Sequence, residues 1–323
     1  MGWEALRGDP LPWLLDDERP NLQWRTLTEL VGRPAASPAV ARARGGANAV
    51  DPVAALLEAL HPDGSWACGA AWWDTGVGPG WRLLSAVQWG ADPGDPRLQA
   101  AAAKLLEKAP GEGGFARGDS QSATPRLTAR VVQAMAGLGL ARLPRVQEAL
   151  AWLEEGARPA PDGGWLAEDP DGPASPCGVT AVATLAALTA SGDDRRNFLR
   201  ERAVRGTLEL LARGGADLEL LSQPCLERTD LAEALWALAR AGVALQPAMA
   251  QPLARLQARQ LEGGRWPRDL EPPSGLPIGD PPVCGAPSRW VTLKAAVALL
   301  RYGEEAELPR MFPEKPDPAR AGN

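Results

Sequence analysis

Four short turns recur along the chain at nearly constant intervals: DGSW at 63–66, EGGF at 112–115, DGGW at 162–165 and GGRW at 263–266. A worn copy, RGGAD at 213–217, stands between the last two. Anchored on Trp66, Phe115, Trp165, Ala216 and Trp266, the steps are 49, 50, 51 and 50 residues. Spacing this even marks a chain built from one repeated unit. Within each turn the glycines supply positive φ and the aspartate can bond its own backbone. The large ring that follows is not needed by a turn, and it is expected to pack against the end of a neighbouring outer helix.

Each turn has a polar-faced helical stretch before it, at 51–60, 95–107, 142–155, 194–212 and 247–261. After each comes a loop and a more apolar stretch, at about 78–90, 124–138, 177–190, 225–241 and 286–302. Such apolar helices are buried on most sides. NLQWRTLTELVG at 21–32 is a sixth helix of the inner type, with Asn21 able to cap it. Ala and Leu dominate and β-branched runs are scarce, so the chain reads as all-α. Alternating outer and inner helices close most simply as a ring of helical pairs, because an open solenoid needs polar caps at both ends. The expected organisation is an N-terminal extension over 1–20, the ring over 21–303 and a tail over 304–323, disordered at EKPDPARAGN.

A net charge of −6 and a pI near 5.1 exclude the basic footprint of a nucleic-acid-binding protein. Neither a signal sequence nor an apolar run of membrane-spanning length is visible, so a cytoplasmic protein is expected, with peripheral membrane contact left open. One histidine, His61, rules out a multi-histidine metal site and ends an outer helix, where a structural role is expected. Four cysteines without a CxxC pair exclude a disulfide framework.

QLEGGRW, Gln260 to Trp266, fits the QxxxGxW pattern of squalene-type cyclases at Gln260, Gly264 and Trp266. With the other turns, it resembles the repeats of the squalene cyclase and protein prenyltransferase superfamily over residues 20–302. The resemblance implies an (α/α)6 barrel, or toroid, with a central cavity for an isoprenoid-type substrate, and either cyclisation or prenyl transfer. Class II terpene cyclases carry a DxDD motif ahead of "TA" at an inner-helix start. The matching stretch here, PCGVTA at 176–181, has no aspartate. CLERT at 225–229 places Glu227 where the proton-donating aspartate would stand, and Asp74 and Asp230 are the other candidate acids. Protein prenyltransferases hold zinc with an Asp, a Cys and a His; Cys177 or Cys225 matches the Cys, but no His stands at an inner-helix start.

Inner helices that each follow a loop run parallel, so their N-termini share one rim. Arg25, Arg82, Arg126, Arg228 and Arg289 all stand near that end. With the helix dipoles they would form a cationic mouth for phosphate or carboxylate, unless local acids such as Asp74, Glu227 and Asp230 pair with them. Trp81, Trp236 and Trp290 would either wall an apolar bore, stabilising a carbocation by cation–π attraction, or fill the core. The expected ligand is therefore a hydrophobic small molecule with an anionic head. Cys177, Cys225 and Cys284 precede or begin three inner helices. With a carboxylate or Cys68 they would supply a zinc site, and otherwise they are buried packing residues. The rivals to an enzyme are a non-catalytic ligand-binding toroid and a metal-stabilised scaffold.

Overall fold

The structure is a computed structural model that describes residues 5–16, 18–66, 78–108, 111–116, 122–157, 159–160, 164–166, 176–279 and 283–306. It is mostly helical: α1 (Leu11–Leu14), α2 (Pro20–Glu29), α3 (Pro38–Gly46), α4 (Val53–Glu58), α5 (Pro79–Gln88), α6 (Pro96–Lys108) and α7 (Pro125–Gly137) form the first half. α8 (Pro144–Ala151), α9 (Gly178–Ser191), α10 (Asn197–Arg213), α11 (Ala216–Glu219), α12 (Leu231–Arg240), α13 (Pro247–Ala258) and α14 (Arg289–Tyr302) form the second. Two two-residue strands, β1 (Trp266–Pro267) and β2 (Pro287–Ser288), pair antiparallel before α14.

The helix starts are set by proline. It occupies the first turn of α2, α3, α5, α7, α8 and α13, where its missing N–H would have had no helical partner anyway. The expected inner and outer stretches coincide with observed helices, with three differences. α12 begins at Leu231 rather than 225, because Asp230 accepts a hydrogen bond from Glu233 N and caps the helix there. α8 passes into a π turn over Trp152–Gly156. The worn fourth copy forms a helical turn, α11, instead of an aromatic-bearing one.

The aromatic residues staple each repeat by a recurring bond. Trp66 Nε1 donates to Leu56 O at 2.9 Å, Trp165 Nε1 to Leu153 O at 2.9 Å and Trp266 Nε1 to Leu256 O at 2.7 Å. Each thus binds the end of its own outer helix. At two of the turns the next outer helix adds an arginine over the ring. Arg145 of α8 lies 4.2 Å from the centroid of Phe115 and donates to the carbonyls of Gly113 and Gly114. Arg202 of α10 lies 4.3 Å from that of Trp165 and donates to Leu153 O and Gly164 O, both at 2.9 Å. In the worn copy the arginines remain although the ring is gone: Arg255 of α13 meets Glu219 Oε1 at 2.8 Å, and Arg259 donates to Glu219 O.

The inner helices pack in series, α5 on α7, α7 on α9, α9 on α12, α12 on α14 and α14 on α2. Hydrogen bonds join α2 back to the end of α5, from Asn21 Nδ2 to Trp89 O (3.0 Å) and from Trp24 Nε1 to Gly90 O (2.7 Å). Gly90 has φ +70°, and a Cβ there would lie 2.4 Å from Asn21 O, so only glycine allows this approach. On the outside, the segment read from sequence as an extension seats on the last turn. Arg7 N donates to Gln260 Oε1 (2.8 Å), Gln257 Nε2 to Ala5 O (3.0 Å), and a Cβ on Gly264 would lie 2.3 Å from Gly8 O. Of the expected tail, 307–323 lies outside the described residues.

Removing one staple has a measurable cost. Arg202→Met keeps the apolar stem but strips buried carbonyls of their donors. It is expected to lower unfolding free energy by about 2–3 kcal/mol, read by chemical denaturation. A loss below about 0.5 kcal/mol, the usual size of a surface change, would remove the arginine from the account of the repeat.

Candidate functional site

The loop 221–230 ahead of α12 is held from three other inner helices. From α7, Arg130 donates through Nε to Leu226 O (2.7 Å) and through Nη2 to Arg228 O (2.6 Å). The same guanidinium grips Glu233 of α12, Nη1 to Oε1 at 2.9 Å and Nη2 to Oε2 at 3.2 Å. From α5, Gln88 Nε2 donates to Cys225 O (2.6 Å) while its Oε1 accepts from Cys225 N (2.7 Å). From α14, Lys294 Nζ donates to Gln223 Oε1 (2.7 Å) and stands 3.6 Å from Cys225 Sγ. Within the loop, Asp230 Oδ2 accepts from Ser222 N (2.7 Å).

This cluster is buried, and its charges are matched. Burial pushes the Glu233 carboxyl up, but the charges of Arg130 and Lys294 outweigh it and hold its pKa below the ordinary glutamate value. Burial raises Asp230, against the opposing pull of Lys294. For Lys294, burial is outweighed by Cys225, Glu233 and Asp230, so the ammonium stays charged. Burial, with the charges of Asp230 and Glu233, pushes the Cys225 thiol well up, making it a poor nucleophile and metal ligand. A second knot adjoins it: Glu29 pairs with Arg25, takes a bond from Trp236 Nε1 (2.8 Å) and stands 3.5 Å from Arg240. Between the two knots a cavity of about 30 Å³ is lined by Arg25, Glu29, Gln133, Glu233, Trp236 and Trp290 among others. That is about one water's share of liquid volume, too small for a prenyl chain. Where the sequence suggested an apolar bore, the described interior holds a polar plug.

A larger space opens at the surface, beside this loop. A groove of about 720 Å³ runs between the start of α9 (Gly178, Val179), the α10–α11 junction (Leu210, Gly214) and the loop carrying Glu227 and Arg228. Its size falls within the range of small-molecule sites. Arg228 Nη2 donates to Asp217 O at 2.9 Å and stands 3.6 Å from Asp217 Oδ1. With the Asp217 side chain 94% exposed, that ion pair is weak.

The expected site residues are therefore distributed. Glu227 and Arg228 line the groove together. Arg289 is held away by the N-terminal segment, with Asp16 at 3.2 Å and its guanidinium 4.6 Å from the Trp13 ring centroid. Arg82 and Arg126 stand half-buried on the first turns of α5 and α7. Trp81 is buried in the core, Trp236 and Trp290 flank the 30 Å³ cavity, and Trp290 packs edge-on to Trp89. Asp74 and Cys68 lie outside the described residues. Cys177 and Cys225 are buried and Cys284 is half-buried, all three as free thiols. Among the described residues no three His, Cys, Asp or Glu side chains converge as a metal requires, so of the two readings of Cys177, Cys225 and Cys284 the packing one is favoured over zinc.

Arg130, Glu233, Lys294 and Glu29 were not singled out from sequence. The available signal was an ionisable residue in the middle of an otherwise apolar stretch, as in ARVVQAM, LAEALW and TLKAAVALL. Such a residue is buried with the helix and must find a partner there.

Neither a protein-family model nor a curated protein matches the chain. Among solved structures, it is similar to the type II terpene cyclase MstE from Scytonema in its apo form, at 17% identity and TM-score 0.45, over 89% of this chain and 88% of that one. A variant of MstE in complex with geranylgeranyl dihydroxybenzoate gives 16% identity and TM-score 0.43, over 91% and 88%. A protein from Actinoplanes gives 19% identity and TM-score 0.43, over 88% and 90%. Likeness at this level assigns neither activity nor substrate to this chain.

The buried pair sets an acid dependence. A carboxylate whose folded pKa is depressed stabilises the fold above its unfolded value, near pH 4.3, and loses that contribution as pH falls through the folded pKa. Glu233→Gln leaves Arg130 buried without a counter-charge and is expected to cost about 3–5 kcal/mol at pH 7. The gap between wild type and variant should close as pH falls below about 4. Thermal unfolding from pH 7 to pH 3 reads it; a gap constant with pH would show that the fold does not depress the Glu233 pKa, and wild type gaining on the variant as pH falls would show that Glu233 is not ionised in the fold.

Proposed function

We propose that the chain forms an (α/α)6 toroid over 21–303 and binds an isoprenoid-type amphiphile at its rim rather than in its centre. The ring closure is supported by the helix series and by the bonds from α2 to α5. The binding reading is carried by one observation: a groove of ligand size whose walls include Val179, Leu210 and Leu218 and whose edge carries Arg228. Apolar walls take a tail by removing it from water. A guanidinium at the edge takes an anionic head by charge-assisted hydrogen bonds. Among the described residues, the contacts to be displaced for the head to bind are the weak ion pair with Asp217 and the bond to its carbonyl.

A catalytic form of this reading adds proton transfer to the bound tail. Burial raises the pKa of Asp230, so this carboxyl holds a proton more readily than an ordinary aspartate. Its neighbour Thr229 lines the groove, although Asp230 itself is buried. Asn caps a helix as well as Asp does, so Asp230→Asn tests the proton without removing the cap.

The experiment is a pair of calorimetric titrations, with geranylgeranyl diphosphate and with the neutral geranylgeraniol. Wild type should bind both, and Arg228→Ala should weaken the diphosphate by about 10-fold, corresponding to about 1.4 kcal/mol for a half-exposed charge-assisted contact, while leaving the alcohol unchanged. Equal losses for the two ligands, or no binding by wild type, would contradict the proposal. Product analysis of the same mixtures decides the catalytic form: turnover by wild type that Asp230→Asn abolishes supports it, and unchanged ligand throughout removes it.

A further inference from the structure

Arg268 is a fully buried arginine, and none of its three guanidinium nitrogens has a hydrogen-bond partner among the described residues. Arginine does not deprotonate in proteins, so unlike a buried lysine it cannot escape its charge. Its position is set by the backbone. Arg268 N donates to Ala286 O (3.1 Å), and Gly285 N donates to Arg268 O (2.6 Å). The next residue bonds Leu221 O through its N–H at 2.8 Å. Arg268 therefore stands between the strand leading into α14 and the loop leading into α12.

Among the described residues, nothing in that neighbourhood supplies the missing negative charge. Asp269, the adjacent carboxylate, is committed on both oxygens, to Arg259 Nη2 (2.6 Å) and to Leu221 N (2.7 Å). Glu219, the nearest acid of α11, pairs with Arg255. Two residues beyond Ala286 is Ser288, the cap of α14, whose N-terminus carries partial positive charge. The carbonyls of Ala286 and Leu221 that face this segment already accept from its backbone. A buried cation is stabilised by a paired anion, and among the described residues none meets this guanidinium.

We propose that Arg268 anchors a binding site for a small oxyanion, a phosphate or a carboxylate, held by the planar fork of the guanidinium against two oxygens. Planar two-point contact is the geometry that arginine offers and lysine does not. The guanidinium is 0% exposed, so its surroundings must shift to admit an ion, and only a small one or the oxyanion end of a longer molecule can enter. The site is independent of the rim groove, whose charged contact is Arg228, so either proposal can fail alone.

The test uses the full chain and measures thermal unfolding against sodium phosphate and against sodium acetate, each at constant ionic strength with sodium chloride as the balance. An ion that binds only the folded state raises the unfolding temperature with its concentration. Wild type should respond to at least one of the two, and which one sets the ligand class. Arg268→Met, close in size without the charge, should abolish the response and unfold at the same or a higher temperature than wild type in chloride alone. Arg268→Lys should retain a response with an apparent affinity about 10-fold weaker, and it carries the test if the Met variant does not fold. No response by wild type to either ion, or an equal response in wild type and variants, would overturn the proposal.

Discussion

The architecture turns on one buried ion pair. Arg130 of α7 meets Glu233 of α12 through both ends of its guanidinium, and its remaining donors reach Gln133 and the carbonyls of Leu226 and Arg228. These helices are not neighbours: α9 stands between them in the packing order. One side chain thus ties two non-adjacent inner helices and shapes the loop that walls the rim groove. Such a pair contributes modestly when intact, because desolvation offsets its attraction, and costs several kcal/mol when one partner is lost. A packing that separated the two would strand a charge in the core.

A second device recurs through the outer layer. An indole or phenyl ring follows each intact turn, and at Phe115 and Trp165 an arginine from the next outer helix covers it while satisfying the turn's carbonyls. The fourth copy has no ring, and there Arg255 and Arg259 meet Glu219 instead. The staple passes stability from repeat to repeat, as in other repeat proteins, where each unit is stabilised mainly by its neighbours. At the chain's start, Ala5 to Gly8 take the position that a further outer helix would occupy against the last turn.

Helix positions were legible because their signals are local: prolines at the starts, glycines in the turns and a constant period. α12 starts six residues later than its apolar stretch suggests, for a physical reason. CLERTD reads as a helical turn, yet Gln88 and Arg130 hold its backbone in a loop, and the helix begins only beyond Asp230, which caps it. Charged partners were the illegible part. Arg289 finds Asp16 across 273 residues, Trp236 finds Glu29 across 207 and Arg130 finds Glu233 across 103. No spacing rule reaches that far, so the separate partners of the arginines were not legible. The polar filling of the interior is made by Arg130, Glu233 and Lys294, whose isolation within apolar helices was visible and unused.

Closure of the ring is the claim on which these points rest, and a distance between its two ends tests it. Asp9 and Glu262 are both exposed, and they flank the contact between Gly8 and Gly264. Spin labels at Asp9→Cys and Glu262→Cys, with Cys68 and Cys284 replaced by serine, would report their separation by pulsed electron paramagnetic resonance. A closed ring predicts one narrow population below about 25 Å, whereas an open stack, with ends five helix spacings of about 8–10 Å apart, places them at about 40–50 Å. A broad or long distribution in the folded protein would contradict the account.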